Sequence, residues 1–206
     1  MPNSIRAPWP PPLGLALIGA GSFGRFCLQA YAELDGIRPV AVFSRSVERA
    51  GSAGEAFGLP WTTDADEIVA RDDVDIVHVS TPPASHHDLV MAALRAGKHV
   101  LCEKPLATKP SDGEAMLSAA EEAGRICVVN FVLRHAPATR MVKTLLDSGL
   151  LGRPLAARLT NCAGDEGLGP DHWFWDPELS GGIFVEHGVH FFDLYRYWFG
   201  PGEVRS

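Results

Sequence analysis

A short apolar run at residues 13–18 leads directly into a glycine-rich segment at 19–24, and this junction constrains the fold more than any other part of the chain. The run is too short to span a membrane, but it is typical of a central strand in a parallel sheet, where helices cover both faces. The glycines follow the spacing G-x-G-x-x-G, and an amphipathic segment at 23–34 comes next. The order therefore predicts a buried strand, a tight turn and a helix.

The glycines of this turn stand where larger side chains would interfere. Gly19 permits the tight turn, Gly21 lets backbone N–H groups approach a pyrophosphate, and Gly24 lets the helix pack closely against the strand. The first helical residues, Ser22 and Phe23, would present the positive end of the helix dipole to that ligand. The segment predicts a dinucleotide-binding turn, although the glycine spacing alone leaves open a glycine-rich loop that binds nothing.

Composition and charge exclude several other classes of protein. Of 206 residues, 46% are hydrophobic and 21% are charged, which is typical of one substantial globular domain, or of one domain plus part of another. The net charge of −7 argues against a nucleic-acid or anionic-membrane surface. No apolar run reaches the roughly 18 residues of a spanning helix, and a secretory pattern is absent. We therefore expect a cytoplasmic protein with reduced thiols at Cys27, Cys102, Cys127 and Cys162.

Strands and helices then alternate along the chain as far as residue 133. A proline-rich segment at 1–12, expected to be a mobile leader, precedes them. Further apolar runs predict strands at 39–43, 74–80, 98–102 and 125–129, and helices are predicted at 47–57, 64–70, 84–96 and 111–123. Ser111 and Glu114 have the spacing of a capping box. This alternation predicts an α/β fold, a doubly wound parallel Rossmann sheet, over residues 13–133.

The end of the second predicted strand indicates which nucleotide is bound. An acidic residue at this position would bind the 2′-hydroxyl of an adenosine ribose, but the chain has Ser44 and Arg45 there. A guanidinium beside hydroxyl groups suits a 2′-phosphate instead, and Arg49 follows one helical turn later. The pattern favours NADP, with NAD as the second choice. A solvated surface role for Arg45 is the alternative.

The alternating pattern ends near residue 130. Residues 134–206 contain a predicted helix at 137–148, a predicted strand at 155–160, a loop with Trp173 and Trp175, and a predicted helix at 183–199. These are too few elements for a full domain. We expect an incomplete α/β (α+β) second domain, with apolar surface and a strand edge that a homo-oligomer or a partner chain would cover.

Several separated motifs resemble those of the Gfo/Idh/MocA oxidoreductases. They comprise the glycine turn, Thr81-Pro82-Pro83 with His86, the run at 97–107 through Glu103-Lys104-Pro105, residues 130–134, and the segment from Gly181-Gly182 to His190 and Asp193. The resemblance implies a Rossmann domain followed by a domain built on a mostly antiparallel sheet. It also implies reversible oxidation of a hydroxyl on a sugar, cyclitol or related polyol.

Site roles follow from the resemblance position by position. Lys104 would be the catalytic lysine and His190 the catalytic histidine, Glu103 and Lys104 would contact the nicotinamide ribose, and Arg134 would face the substrate. These roles suit the residue types, since an imidazole can exchange the hydroxyl proton and an ammonium stabilises alkoxide charge. The loop from Thr81 to His86, with Pro82 and Pro83, would line the cofactor channel.

Two positions in the second domain carry further expectations. Glu186 stands where many family members have Asp, four residues before His190, so on one continuous helix the two side chains would share a face and Glu186 would assist. Trp173 is expected either to roof the substrate site or to fill space between domains.

Three alternative hypotheses remain beside this one. Glu186, His187, His190 and Asp193 have residue types that bind Zn or Fe, but no third ligand is clearly indicated, so no metal is expected. His190 alone is also compatible with a satisfied core histidine. For the whole chain, the alternative is a truncated, inactive dinucleotide-binding module that senses cofactor or pairs with another chain.

Overall fold

The computed structural model describes residues 12–162, 164 and 167–203. Residues 1–11 of the predicted leader lie outside this range. The internal contacts divide the chain after Val129 into two units. The domain boundary predicted between residues 133 and 134 stays a prediction. Within the described ranges, no helix combines the length and the apolar character needed to cross a membrane.

The first unit is built on a six-stranded sheet with the strand order β3-β2-β1-β4-β5-β6. The pairs of β1 with β2, β1 with β4, β2 with β3, and β4 with β5 are parallel. The strands are β1 (Leu13–Ile18), β2 (Ile37–Phe43), β3 (Trp61–Thr62), β4 (Ile76–Val79), β5 (His99–Glu103) and β6 (Cys127–Asn130). The strand order runs outward in both directions from β1, which confirms the doubly wound sheet.

Helices connect these strands at the positions that the sequence indicates. They are α1 (Ser22–Tyr31), α2 (Val47–Phe57), α3 (Ala65–Val69), α4 (His86–Arg95) and α5 (Pro110–Ala123), with a 3₁₀ turn at Pro83–Ser85 before α4. Helices α2 and α5 are followed by Gly58 and Gly124, and both glycines adopt left-handed conformations that glycine tolerates.

The predicted capping box at Ser111 is wrong. Helix α5 begins one residue earlier, at Pro110, and no side chain caps it. Proline suits the first helical position because its φ is already helical and it has no N–H to satisfy. The Ser111 hydroxyl instead lies 3.4 Å from Oδ1 of Asp112.

The core lies on both faces of the sheet. Ala16 and Ile18 pack on one face with Val77 and Val79, whereas Leu17 belongs to a separate cluster on the other face that includes residues of α1 and α2. Successive side chains of a strand point to opposite faces. Apolar residues at every position of β1 therefore follow from its burial on both sides.

The second unit is mainly helical. It contains 3₁₀ turns at Val132–His135 and Trp173–Trp175, and helices α6 (Pro137–Asp147), α7 (Pro177–Ser180), α8 (Ile183–Glu186) and α9 (Val189–Phe199). The strand predicted at 155–160 is wrong, because these residues are irregular and Leu155 is 94% exposed. An alternating segment forms a strand only beside another strand, and the described part of this unit provides none.

The continuous helix predicted at 183–199 is also wrong. It is divided at His187 and Gly188, where the Gly188 N–H donates to the carbonyl of Ile183, five residues back. A Cβ at position 188 would lie 2.6 Å from the carbonyl oxygen of Phe184. The missing side chain of Gly188 thus permits a close backbone approach that separates α8 from α9.

Candidate active site

The glycine turn after β1 has the geometry of a phosphate cradle. A Cβ on Gly19, whose φ is +116°, would lie 2.2 Å from the carbonyl oxygen of Ser80, and one on Gly24 would lie 2.0 Å from that of Gly19. Gly21 differs, since no atom lies within 4 Å of the position of its Cβ. Helix α1 starts here without a side-chain cap or an acidic residue in its first turn. The turn therefore fits the pyrophosphate of a dinucleotide.

The loop after β2 presents two cations. Ser44 is buried and accepts a hydrogen bond from the Ser46 N–H at 3.3 Å, while the Ser46 hydroxyl caps α2 by accepting from the Arg49 N–H at 3.2 Å. The side chains of Arg45 and Arg49 are both exposed. Residues 44–46 contain no carboxylate, and Glu48 is the first acidic residue after the strand. This loop can offer forked N–H donors to an anion.

His86 joins the loops that follow β4 and β5. The ring is fully buried, with Nδ1 at 2.8 Å from the carbonyl oxygen of Pro105 and Nε2 at 2.9 Å from that of Thr81. Burial lowers the pKa of His86, although the two carbonyls oppose this effect. The imidazole thus connects the loop predicted to line the cofactor channel with the loop that contains Lys104 and Pro105. Its own contact with cofactor stays a prediction.

The motif Glu103-Lys104-Pro105 lies at the carboxyl end of β5. Glu103 is the last residue of the strand and is buried, Lys104 is half-buried, and a cis peptide bond joins Lys104 to Pro105. Ligands of open α/β sheets bind at this edge. Lys104 therefore lies at the edge of the sheet where such ligands bind, and its catalytic role stays a prediction.

Sequence reasoning missed the side chains that hold Glu103. Nε2 of His78 lies 3.1 Å from Oε1 of Glu103, and the Tyr31 hydroxyl lies 3.0 Å from Nδ1 of the same imidazole. The signal was present in the sequence, because His78 is the one polar residue of the apolar strand β4.

In the second unit, Arg134 is bound to Asp193. Two guanidinium nitrogens of Arg134 contact the two carboxylate oxygens, one of them at 2.7 Å. The guanidinium also lies over the rings of Phe131, at 5.5 Å, and Tyr197, at 5.3 Å. The hydrogen bonds to Asp193 raise the pKa of Arg134. Arg134 is therefore held by its own unit, and its predicted contact with substrate stays a prediction.

Glu186 and His190 lie on different helices. Glu186 is the buried last residue of α8, and His190 is the half-buried second residue of α9. Between them, Nε2 of His187 lies 3.1 Å from Oδ1 of Asn161. The argument that Glu186 and His190 share one helix face is thus wrong, because the helix is interrupted. The assisting role of Glu186 stays a prediction.

Two remaining expectations concern Trp173 and metal ligands. Trp173 is half-buried, and its ring lies 5.3 Å from that of His172 and 6.2 Å from that of Phe174. Its role toward substrate stays a prediction. In the described part of the chain, three possible metal-ligating atoms lie within 4.8 Å of one another at Cys27, His78 and Glu103. The set at Glu186, His187, His190 and Asp193 does not converge in this way.

Comparison with known proteins agrees with this architecture. A family model described as an oxidoreductase family with an NAD-binding Rossmann fold matches residues 13–131, and a GFO/IDH/MocA C-terminal domain model matches residues 139–206. The chain is 37% identical over 185 residues to 1,5-anhydro-D-fructose reductase of Ensifer adhaerens, covering 88% of this chain and 55% of that protein.

Two solved structures show the same fold. An aldose-aldose oxidoreductase from Caulobacter crescentus in complex with glycerol is 30% identical, with a TM-score of 0.80, and the match covers 94% of this chain and 59% of that one. A levoglucosan dehydrogenase in complex with NADH is 27% identical, with a TM-score of 0.79, over 91% and 54% of the two chains.

The chain spans about half the length of the curated relatives that it matches. The matches to the two family models nevertheless cover both units, and the Rossmann sheet carries the glycine turn and the Glu103-Lys104-Pro105 motif at its carboxyl edge. The protein belongs to the Gfo/Idh/MocA family of oxidoreductases.

Proposed function

We propose that the chain binds NADP(H) and serves hydride transfer between this cofactor and a hydroxyl or carbonyl group of a sugar, cyclitol or related polyol. The observation that carries the proposal is the glycine turn after β1, where Gly19 and Gly24 have no room for a side chain and Gly21 faces open space. Relatives support the substrate class, because the three proteins compared above act on or bind carbohydrate-like compounds or glycerol.

The preference for NADP over NAD is supported by the loop after β2. Arg45 and Arg49 are exposed there, and the loop lacks the carboxylate that would bind a 2′-hydroxyl and repel a 2′-phosphate. The NADH in the levoglucosan dehydrogenase structure belongs to that protein. NAD remains the second choice for this chain.

The bound nicotinamide would accept or supply the hydride. On the protein side, the Lys104 ammonium would contact the reacting oxygen and stabilise the negative charge that develops on it. His190 would take the hydroxyl proton during oxidation and return it during reduction, and Glu186 would assist. Lys104 directly follows the last residue of β5, and His190 is the second residue of α9, so each lies beside or within regular structure.

Steady-state rates with a panel of polyols and NADP⁺ test the reaction. We expect a rate that Lys104→Ala and His190→Ala each reduce by about two orders of magnitude or more, because each removes charge or proton transfer in the transition state. Lys109→Ala is the matched control for the lysine, since Lys109 is exposed. Activity that survives both site substitutions contradicts the assignment.

Dinucleotide titrations test the cofactor preference separately. Arg45→Ala should raise the Kd for NADPH about tenfold while leaving that for NADH within about twofold, since only NADPH carries the phosphate. Arg38→Ala, which removes an exposed arginine at the other end of β2, is the control. Tighter binding of NADH by the unsubstituted chain would overturn the preference.

A dinucleotide-binding module without catalysis is the second candidate. It is favoured by the apolar surface of the second unit, where Phe184 is 74% and Phe192 61% exposed. Side chains of this size are usually covered in a working enzyme. Dinucleotide binding without turnover of any polyol would favour this candidate.

A further inference from the structure

A chain of three polar side chains lies in the core of the first unit, next to the carboxyl end of β5. The Tyr31 hydroxyl is 3.0 Å from Nδ1 of His78, and Nε2 of His78 is 3.1 Å from Oε1 of Glu103. The imidazole is fully buried, and Glu103 is only 8% exposed. Its carboxylate is thus anchored from the interior of the protein.

The secondary structure brings these groups together. His78 pairs with Leu101 across β4 and β5, so Glu103, two residues later, lies on the same face of the sheet as His78. Cys27 and Tyr31 are four residues apart on α1 and therefore share one face of that helix. One face of the sheet thus supplies His78 and Glu103, and one face of α1 supplies Cys27 and Tyr31.

The hydrogen-bonding capacity of the three groups selects one arrangement of protons. An ionised carboxylate can only accept, so Nε2 of His78 must carry the hydrogen toward Glu103. Nδ1 of a neutral imidazole is then an acceptor, and the Tyr31 hydroxyl donates to it. In this arrangement the Glu103 carboxylate determines which ring tautomer is present, and the Tyr31 hydroxyl donates to the nitrogen that carries no hydrogen.

A fourth side chain, Cys27, lies beside His78 and Glu103. Its Sγ lies within 4.8 Å of the ligating atoms of His78 and Glu103. However, burial, and secondarily the charge of Glu103, raises the pKa of Cys27 to about 11. In the metal-free protein the thiol thus stays protonated at neutral pH.

We propose that His78 is a positioning residue, which holds the Glu103 carboxylate and with it the strand end that carries Lys104, while Tyr31 holds the other side of the imidazole by donating to Nδ1. The inference rests on the proposed function in one respect, namely that Glu103 contacts the nicotinamide half of the dinucleotide. A purely structural histidine would stabilise the fold without affecting that half selectively.

Nuclear magnetic resonance of the ¹⁵N-labelled full chain tests the proton arrangement without any ligand. We expect the hydrogen of His78 on Nε2 in the unsubstituted protein and also in Tyr31→Phe, which keeps the ring but removes the hydroxyl, because the Glu103 carboxylate still accepts from Nε2. A hydrogen on Nδ1 in the unsubstituted protein would overturn the proposal.

Titrations with NADPH and with adenosine 2′,5′-bisphosphate, which lacks the nicotinamide half, test the positioning role. His78→Leu should raise the Kd for NADPH about tenfold, because it removes the hydrogen bond that holds the charged Glu103 carboxylate beside the nicotinamide half. The Kd for the fragment should stay within about twofold, because the fragment lacks that half. His78→Gln keeps an N–H donor and should recover part of the affinity. His87→Leu, which removes a partly exposed neighbouring histidine, is the control.

The outcomes separate this inference from the proposed function. If the unsubstituted chain binds neither NADPH nor NADH, the proposed function is wrong. The position of the His78 ring hydrogen would still test the hydrogen bonds among Tyr31, His78 and Glu103. Equal losses for NADPH and the fragment, or a stoichiometric metal found by elemental analysis, would overturn the positioning role. Should His78→Leu fail to fold, Tyr31→Phe gives the same test, with a smaller expected loss for NADPH alone.

Discussion

Gly21 and Gly24 stand three residues apart in the same turn, yet they are glycines for different reasons. The neighbours of Gly24 leave no room, since its Cβ would lie 2.0 Å from a backbone oxygen, whereas the space beside Gly21 is open. Only an external ligand would exclude a side chain at Gly21. The two positions thus separate the requirements of folding from those of binding.

Substitution by alanine should therefore have opposite effects at these positions. Gly24→Ala should destabilise the fold by about 1–3 kcal/mol through overpacking, with loss of dinucleotide binding only as a consequence. Gly21→Ala should leave the free energy of unfolding nearly unchanged and weaken NADPH binding at least about tenfold. Urea unfolding and fluorescence titration measure the two effects. Unaltered NADPH affinity in Gly21→Ala would contradict the phosphate cradle.

The ion pair between Arg134 and Asp193 gives a second prediction at this scale. The Asp193 side chain is only 6% exposed and the Arg134 side chain 38%. Asp193→Asn should lower the free energy of unfolding by about 1–2 kcal/mol, less than for a fully buried pair because water reaches the guanidinium. The exposed pair of Lys143 and Asp147 supplies the control: Asp147→Asn should cost only about 0.3–0.5 kcal/mol. Equal losses in urea unfolding would contradict this difference.

Among the elements, the loops after β4 and β5 depend on one imidazole. His86 contacts the carbonyls of Thr81 and Pro105, so the two loops are joined although 24 residues separate these two positions in sequence. A neutral ring can donate to one carbonyl at a time. Because burial lowers the pKa of His86 in the folded state, protonation of this ring favours unfolding.

Stability should fall at acid pH for this reason. Because the folded-state pKa of His86 lies below its ordinary value of 6.5, the unfolded chain binds a proton below about pH 6.5 that the folded chain does not. His86 therefore contributes a loss of stability as pH falls through this range, at most about 1.4 kcal/mol per pH unit. His86→Gln should show a shallower dependence in urea unfolding between pH 7 and pH 5. Parallel curves for the two proteins would contradict the role of His86.

On the scale of the whole molecule, the described residues of the second unit expose much apolar surface. Phe184 and Phe192 are the clearest cases, and Leu155 is almost fully exposed. The sheet of the first unit, in contrast, has apolar clusters on both faces. Burial of apolar surface is the main contribution that stabilises a fold. Because the first unit buries such surface and the second exposes much of its own, this contribution is distributed unevenly along the chain.

This uneven burial predicts a small effect of removing the exposed rings. The double substitution Phe184→Ser and Phe192→Ser should change the free energy of unfolding by less than about 0.5 kcal/mol, because neither ring is buried, and it should reduce binding of an apolar dye. Urea unfolding at two protein concentrations checks this. A large loss that depends on protein concentration would show that another chain covers these side chains.

The sequence by itself determined the order of strands and helices in the first unit apart from the two-residue strand β3, the glycines that follow α2 and α5, and the glycine turn after β1. These features depend on local patterns: burial of β1 on both faces requires apolar residues throughout, and left-handed turns at Gly58 and Gly124 require glycine. Only the tertiary structure decided the division between α8 and α9 and the bonding of Arg134 to Asp193. It also decided the hydrogen bonds that link the side chains of Tyr31, His78 and Glu103. These depend on contacts between residues distant in sequence or on a close backbone approach, which no local period records.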